Sequence, residues 1–328
     1  MHASLIRNKA LSGQYIGIDT SCYTTSAACA ENGSIVSDKR AMLRVASGER
    51  GLRQSDGVFQ HVRNLAEIVP AVMADAERAN IRAVAVSVRP RPEEDSYMPV
   101  FLAGKASAYA LSQGLGVRVY ELSHQQGHVR AALKGNEQLM DKPFLGMHIS
   151  GGTTEIFTVS DGMRIKLIGG CDDLHAGQLV DRIGVAMGMS FPSGKHMERL
   201  ASQFSGELKL RLPVWVRGCR CSFSGTESAA QRLIESGACQ TELAYAVYDA
   251  MARTFHKLIV NAACDTGIDC ALIAGGVASS GLLRSMLTER MSKRGHIDVR
   301  FGEPALSSDN AAGIALMAED IDCGRLEV

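Results

Sequence analysis

The feature that most limits how this chain can fold is a pattern that occurs twice. A buried-strand candidate runs straight into a turn of Gly, Ser and Thr, and out again into an apolar run. The first copy is Tyr15-Ile16-Gly17-Ile18-Asp19, followed by Thr20-Ser21-Cys22 and Thr24-Thr25-Ser26, then Ala27-Ala28-Cys29-Ala30. The second, about 130 residues on, is Phe144 to Ile149, the turn Ser150-Gly151-Gly152-Thr153-Thr154, and Ile156 to Val159. Short apolar runs bounded by turn residues read as strand, tight turn, strand. A third strand, Cys270 to Ala274, ends in Gly275-Gly276. Helical spacing occupies 58–80 and 99–114 in the first half, around the strands Ala83 to Val88 and Val117 to Glu121, and 175–204 and 241–265 in the second. A plain hairpin explains any single turn. Three of them at strand ends point to a cleft between two related α/β domains, where glycine lets backbone N–H groups approach an anion.

Size and charge narrow the class. The chain has 328 residues, 46% hydrophobic and 21% charged, enough for about two domains of ~150 residues with their own cores. With 35 basic and 35 acidic side chains, any nucleic-acid contact must come from a local basic patch. Arg130, Lys134, Lys209, Arg211, Arg217 and Arg220 are candidates, and a solvated surface explains them equally well. The 9 cysteines are scattered and never spaced C-x-x-C, the usage of a reducing compartment. No apolar run approaches the ~18 residues of a membrane span. A cytoplasmic soluble protein is expected.

The sharpest local signal is Ser123-His124-Gln125-Gln126-Gly127-His128, entering a helix after a strand. Four-residue spacing puts both imidazoles on one helix face, where neutral rings can share a divalent ion. No Glu follows the first His, so the zinc-peptidase motif and its general base are absent; surface or capping histidines are the plainer alternative. Asp309, in Leu306-Ser307-Ser308-Asp309-Asn310, is a second candidate ligand or else a helix N-cap. His148 stands in an apolar strand just before the Ser150 turn, where an ordinary core histidine also fits. Asp181 and Glu198 flank Phe191-Pro192-Ser193-Gly194; they can accept from ribose hydroxyls, or pair with Arg182 and Arg199 on a solvated face. Cys221-Ser222-Phe223-Ser224-Gly225 can offer hydroxyl donors.

In this order, the segments IGIDTSC (16–22), SHQQGH (123–128), ISGGTTE (149–155), GQLVDRIGVAMGMSFPSG (177–194), CSFSG (221–225), IAGGVASSGLLR (273–284) and SSDNAAGIA (307–315) resemble the TsaD/Gcp (YgjD-type) family of tRNA threonylcarbamoyladenosine synthases. The resemblance implies the actin-like ATPase (ASKHA) fold, an α/β architecture with two related domains around a nucleotide cleft. The first half would span 1–138, with 309–328 packing back on it, and the second 139–308. It implies one divalent metal ion, iron or zinc, held by His124, His128 and Asp309, with His148 at the place of a further tyrosine ligand in some members. It implies that an adenine nucleotide or threonylcarbamoyl-adenylate meets His148, Ile149, Ser150, Gly151, Gly152, Asp181, Gly194, Glu198 and Ser280. The implied reaction is transfer of threonylcarbamoyl to N6 of the adenine beside the anticodon of tRNA. Smaller proteins of the TsaB and TsaE type are the implied partners, with a homo- or heterodimer possible, and no general base is assigned.

The chain departs from the family pattern at Tyr23 and Thr24, where an acidic pair is usual, and at Arg89-Pro90-Arg91-Pro92, which replaces a glycine-rich loop. Ser280 replaces an asparagine, and Thr153 follows the glycines at a variable position. These changes leave room for a nucleotide-binding paralogue with a regulatory or scaffold role, or for carbamoyl-type transfer to another acceptor.

Overall fold

The computed structural model describes residues 13–21, 23–44, 52–93, 95–294 and 297–326, so Cys22 of the first motif lies outside the described residues. In chain order the elements are β1 (Gln14–Ser21), β2 (Thr24–Glu31), β3 (Ser34–Met42), α1 (Gln54–Asp75), β4 (Ile81–Arg89), α2 (Phe101–Leu115), β5 (Arg118–Ser123) and α3 (His124–Ala132). There follow β6 (Phe144–Ile149), β7 (Thr154–Ser160), β8 (Arg164–Cys171), α4 (Ala176–Ala186), α5 (Gly194–Ala201), β9 (Trp215–Arg217) and β10 (Arg220–Ser222). The chain ends through α6 (Ser224–Glu235), α7 (Gln240–Thr266), β11 (Cys270–Ala274), α8 (Gly281–Arg294), β12 (Asp298–Phe301) and α9 (Ala312–Asp322). The contacts divide it into one unit up to Ala131 that also takes the stretch from Asp309 onward, and a second unit, Ala132–Ser308.

The duplication seen in the sequence is a duplication of topology. The first unit has one sheet ordered β3-β2-β1-β4-β5, antiparallel from β3 to β1 and parallel from β1 to β5. The second unit repeats that order as β8-β7-β6-β11-β12 and adds the short pair β10-β9 beyond β8. In each unit the antiparallel strands come from a hairpin meander, and the parallel strands return through helices, as a crossover requires.

Strand parity on β1 divides the first unit into two faces. Ile16 and Ile18 point into an apolar cluster with Leu65, Ile68 and Val72 of α1 and Ala103 and Ala108 of α2. Gly17 points the other way, against the backbone of Ala311 and Ala315 at the start of α9. The Tyr15 hydroxyl, on that same face, donates to Asp322 Oδ2 (3.0 Å) at the end of α9. α9 is buried along nearly its whole length, so it reads as apolar all round. Its two buried acidic residues are each paired: Asp320 with Arg130 and Arg325, Glu319 with Arg325 (2.9 Å). Arg130 is therefore a buried structural cation and not, as its sequence position allowed, a surface contact for phosphate.

Other expectations change in detail. The hydroxyl cluster after Asp19 is mostly strand, since β1 and β2 stay paired up to Ser21↔Thr24. Two of its buried hydroxyls have backbone partners: Thr20 Oγ1 donates to the Val100 carbonyl (3.0 Å) and Ser26 Oγ to that of Asp19 (3.3 Å). The periodicity over 58–80 ends at Asp75, because the N–H of Glu77 is drawn to Gln14 Oε1 (2.7 Å) at the start of β1. That over 175–204 splits into α4 and α5, with Gly188 at φ +85° closing the first, a conformation that favours glycine.

A Cβ at Gly17 would lie 2.5 Å from both the Ala311 carbonyl oxygen and the Ala315 nitrogen, neither of which can rotate away. Gly17→Ala is expected to destabilise the protein by about 1–3 kcal/mol. Thermal denaturation should show this as a loss of roughly 2–4 °C for each kcal/mol. Gly114→Ala, where a Cβ meets open space, should show no such loss.

Candidate metal centre

The local sequence sets the start of α3. Gln126 N–H donates to Ser123 Oγ (3.2 Å) while Ser123 N–H donates back to Gln126 Oε1 (2.9 Å), a reciprocal capping box. His124 and His128 follow in the first two turns, on one face, with ring centroids 4.3 Å apart and edge on. Asp309 lies just ahead of α9 and is not its cap: Asn310 Oδ1 takes the N–H of Ala312 instead (3.0 Å).

The two Nε2 atoms are 2.9 Å apart, and Asp309 Oδ1 is 3.3 Å from that of His128 and 3.7 Å from that of His124. Donors about 2.0–2.1 Å from one ion with these separations subtend angles of roughly 90–130° at it, within the range of tetrahedral and octahedral sites. Three donor atoms thus lie close enough together to bind one cation. The trio fits a divalent metal by both distance and donor type. Among the described residues no other trio of His, Cys, Asp or Glu brings its ligand atoms within 4.8 Å. Asp309 keeps 33% of its side chain exposed, leaving an open side of the kind a catalytic site needs.

Charge shapes the trio without a metal. Burial alone pulls the His124 imidazole down, but the carboxylate of Asp19, 3.0 Å from Nδ1, and that of Asp309 override it and hold the pKa up, at about 9. Burial works against the charge on Asp309, yet hydrogen bonding from His128 and the two imidazoles' charge keep that carboxyl well below its ordinary range. Another histidine, His61 on α1, lies fully buried with Nδ1 2.8 Å from Thr25 Oγ1; desolvation holds it toward the neutral form.

The remaining sequence candidates lie in the second unit. Residues 150–153 form a closed turn, with Ser150 N–H donating to the Thr153 carbonyl (2.8 Å) and Gly152 N–H to Ser150 Oγ (3.3 Å). Gly177 N–H of α4 donates to the Ser150 carbonyl (3.1 Å), and a Cβ at Gly177 would lie 2.6 Å from the Gly151 Cα. Ile149 is buried, and the half-buried His148 registers with Ala274 and Glu155 in the sheet. Asp181 does not pair with Arg182; its Oδ1 accepts the N–H of Ser193 (2.7 Å), while Arg182 reaches Glu227 (3.4 Å). Glu198 Oε1 accepts the N–H of Leu282 (3.0 Å), and Ser280 Oγ that of Leu283 (3.2 Å), so both cap α8. The Tyr248 hydroxyl donates to the Gly194 carbonyl (3.2 Å); burial, and then the charge of Glu198, push that phenol up. The Ser222 and Ser224 hydroxyls are committed to Asp173 rather than left as donors, and that carboxyl is held well below its usual range although burial opposes it.

A family model described as tRNA N6-adenosine threonylcarbamoyltransferase matches residues 53–316. The chain belongs to that family. A threonylcarbamoyltransferase of Thermus thermophilus is 31% identical over 307 residues, covering 92% of this chain and 91% of the relative. That of Geobacillus thermodenitrificans is 30% identical over 318 residues, covering 92% and 89%. Solved structures share the fold. HypF of T. kodakarensis superposes with a TM-score of 0.62 at 15% identity, covering 96% of this chain and 48% of that one. Component A of the (R)-2-hydroxyglutaryl-CoA dehydratase of Acidaminococcus fermentans gives 0.57 at 15%, covering 95% and 100%. The chain therefore has the same α/β fold as these structures.

Residue spacing and the resemblance both point to the trio, and neither assigns a role to Asp19 or Tyr248. Asp19 was legible as a carboxylate ending a strand otherwise fit for burial. Tyr248 sits in a long apolar helix that reads as core and carries no such signal.

The sign of the pH dependence follows from His124. Its pKa rises from 6.5 unfolded to about 9 folded, so its contribution is fully present below 6.5 and is lost as pH rises through about 9. The difference corresponds to on the order of 3 kcal/mol. About 2.4 kcal/mol of it falls between pH 7 and pH 9.5, so metal-free protein is expected to lose roughly 5–10 °C of thermal stability over that range, and His124→Gln to flatten that profile.

Proposed function

We propose that this threonylcarbamoyltransferase moves the threonylcarbamoyl group from threonylcarbamoyl-adenylate to N6 of the adenine beside the anticodon of tRNA. One divalent metal, iron or zinc, is held by His124, His128 and Asp309. The observation that carries the reading is the convergence of these three donor atoms in a member of this family. Imidazole and carboxylate together suit borderline metals. When bound, the metal supplies Lewis-acid polarisation of a carbonyl.

In the transfer a C–N bond forms between N6 and the carbamoyl carbon. The bond from that carbon to the adenylate oxygen breaks, AMP leaves with the electron pair, and the amine sheds a proton. The Ser150-Gly151-Gly152 turn offers backbone N–H groups to the donor's phosphate, as anion-binding turns do. Asp181 and Glu198 each spend one oxygen on the fold and keep the other for hydroxyls of the nucleotide. Ile149, Gly194 and Ser280 line the same nucleotide site, and His148 serves as a further donor beside the turn. Proteins of the TsaB and TsaE type act with it in the cytoplasm. No described helix is long and apolar enough to cross a membrane.

The test is purified protein given threonylcarbamoyl-adenylate and unmodified tRNA, with modified adenosine measured by nucleoside mass spectrometry. Product is expected, and its rate should fall at least ~100-fold in His124→Ala or His128→Ala, since metal activation is worth several kcal/mol. Undiminished transfer by these variants would remove the metal from the reaction. Binding of donor without any product would leave the regulatory paralogue.

A further inference from the structure

We propose that Asp19 is a positioning residue for the metal centre, fixing the proton of His124 on Nδ1 so that Nε2 faces the ion. The inference rests on the reading of His124, His128 and Asp309 as metal ligands. An imidazole has two nitrogens, and only the one without a proton can bind a metal; a partner on the other nitrogen decides which. Asp19 Oδ1 is 3.0 Å from His124 Nδ1, while Nε2 is the nitrogen turned toward His128 and Asp309.

Several features show that this carboxylate is placed for the purpose. Asp19 is 0% exposed, and burying a carboxylate is costly unless its charge is compensated. Among the described residues its ion-pair partner is His124, with no Lys or Arg against it. Ser87 Oγ of β4 donates to the same Oδ1, fixing the carboxylate from behind. Oδ2 is buried without a hydrogen-bond partner, so the group is not arranged to satisfy itself within the strand. Its direction comes from parity: Tyr15, Gly17 and Asp19 share the face of β1 that meets α9, while Thr20 turns to α2. A neutral apolar residue would fit a buried strand at lower cost.

The experiment uses full-length protein and Zn²⁺ alone, with affinity measured by chelator competition. Asp19→Asn should weaken Zn²⁺ about 10–100-fold, the usual effect of losing an outer-shell partner, and Ser87→Ala should weaken it less. Nitrogen NMR of the Zn²⁺-loaded wild type should show His124 bound through Nε2 with its proton on Nδ1, a signature that mere packing would not produce. This measurement stands even if Asp19→Asn fails to fold. Binding of Zn²⁺ through His124 Nδ1 would overturn the inference. So would an Asp19→Asn affinity equal to wild type while His124→Ala loses the metal, and the metal centre itself would then stand. Unchanged affinity in both His124→Ala and His128→Ala would instead remove the metal centre, and the role of Asp19 with it.

Discussion

The buried ion pair between Arg130 of α3 and Asp320 of α9 links the helix that carries His124 and His128 to the one that follows Asp309. It joins two helices that touch backbone to backbone, since any Cβ at Gly313 would collide with the Gly127 carbonyl. With both glycines at the crossing, the helices have one register in which they fit, and the charge pair lies further along it. His124 and His128 are in the first turns of α3, and Asp309 lies three residues before α9. A slip of one helical turn, about 5.4 Å, would separate donor atoms that now lie within 4.8 Å. Ion pairs of this kind add little net stability over apolar packing; their value here is in fixing position.

β1 serves two environments at once. Its even residues, Ile16 and Ile18, supply core for the helices on one face. Its odd residues supply a hydroxyl, a bare backbone and a carboxylate to the other, where α9 and α3 are. A strand buried on both faces is normally apolar throughout. Asp19, a charged residue near the end of β1, is the departure from that rule.

In the second unit the polar residues expected to meet a nucleotide also hold the backbone that presents it. Asp181 fixes the loop before α5, Glu198 and Ser280 cap α8, and Gly194 is bonded to the buried Tyr248. Their geometry is thereby set in advance of any ligand. Gly177 does the same for the Ser150 turn by letting α4 seat against Gly151.

The doubled strand-turn-strand pattern, the α/β class and the helical pairing of His124 with His128 were legible in the chain, because hydrophobic period and four-residue spacing are local properties. So was the capping signal that begins α3 at Ser123. The loop before the last helix made Asp309 a candidate, but whether it was a cap or a donor turned on which side chain took the N–H of Ala312. Arg130 read as surface and proved buried, because a charge gives no sign of a partner 190 residues away. The same limit concealed that Asp19 meets His124, and it left open whether Asp181 pairs with Arg182 or, as found, with the N–H of Ser193. Local periodicity and spacing determined which elements form and which donors share a helix face; only the packing of α9 onto β1 and α3 decided which distant groups meet, because contact across that separation depends on the fold of everything between.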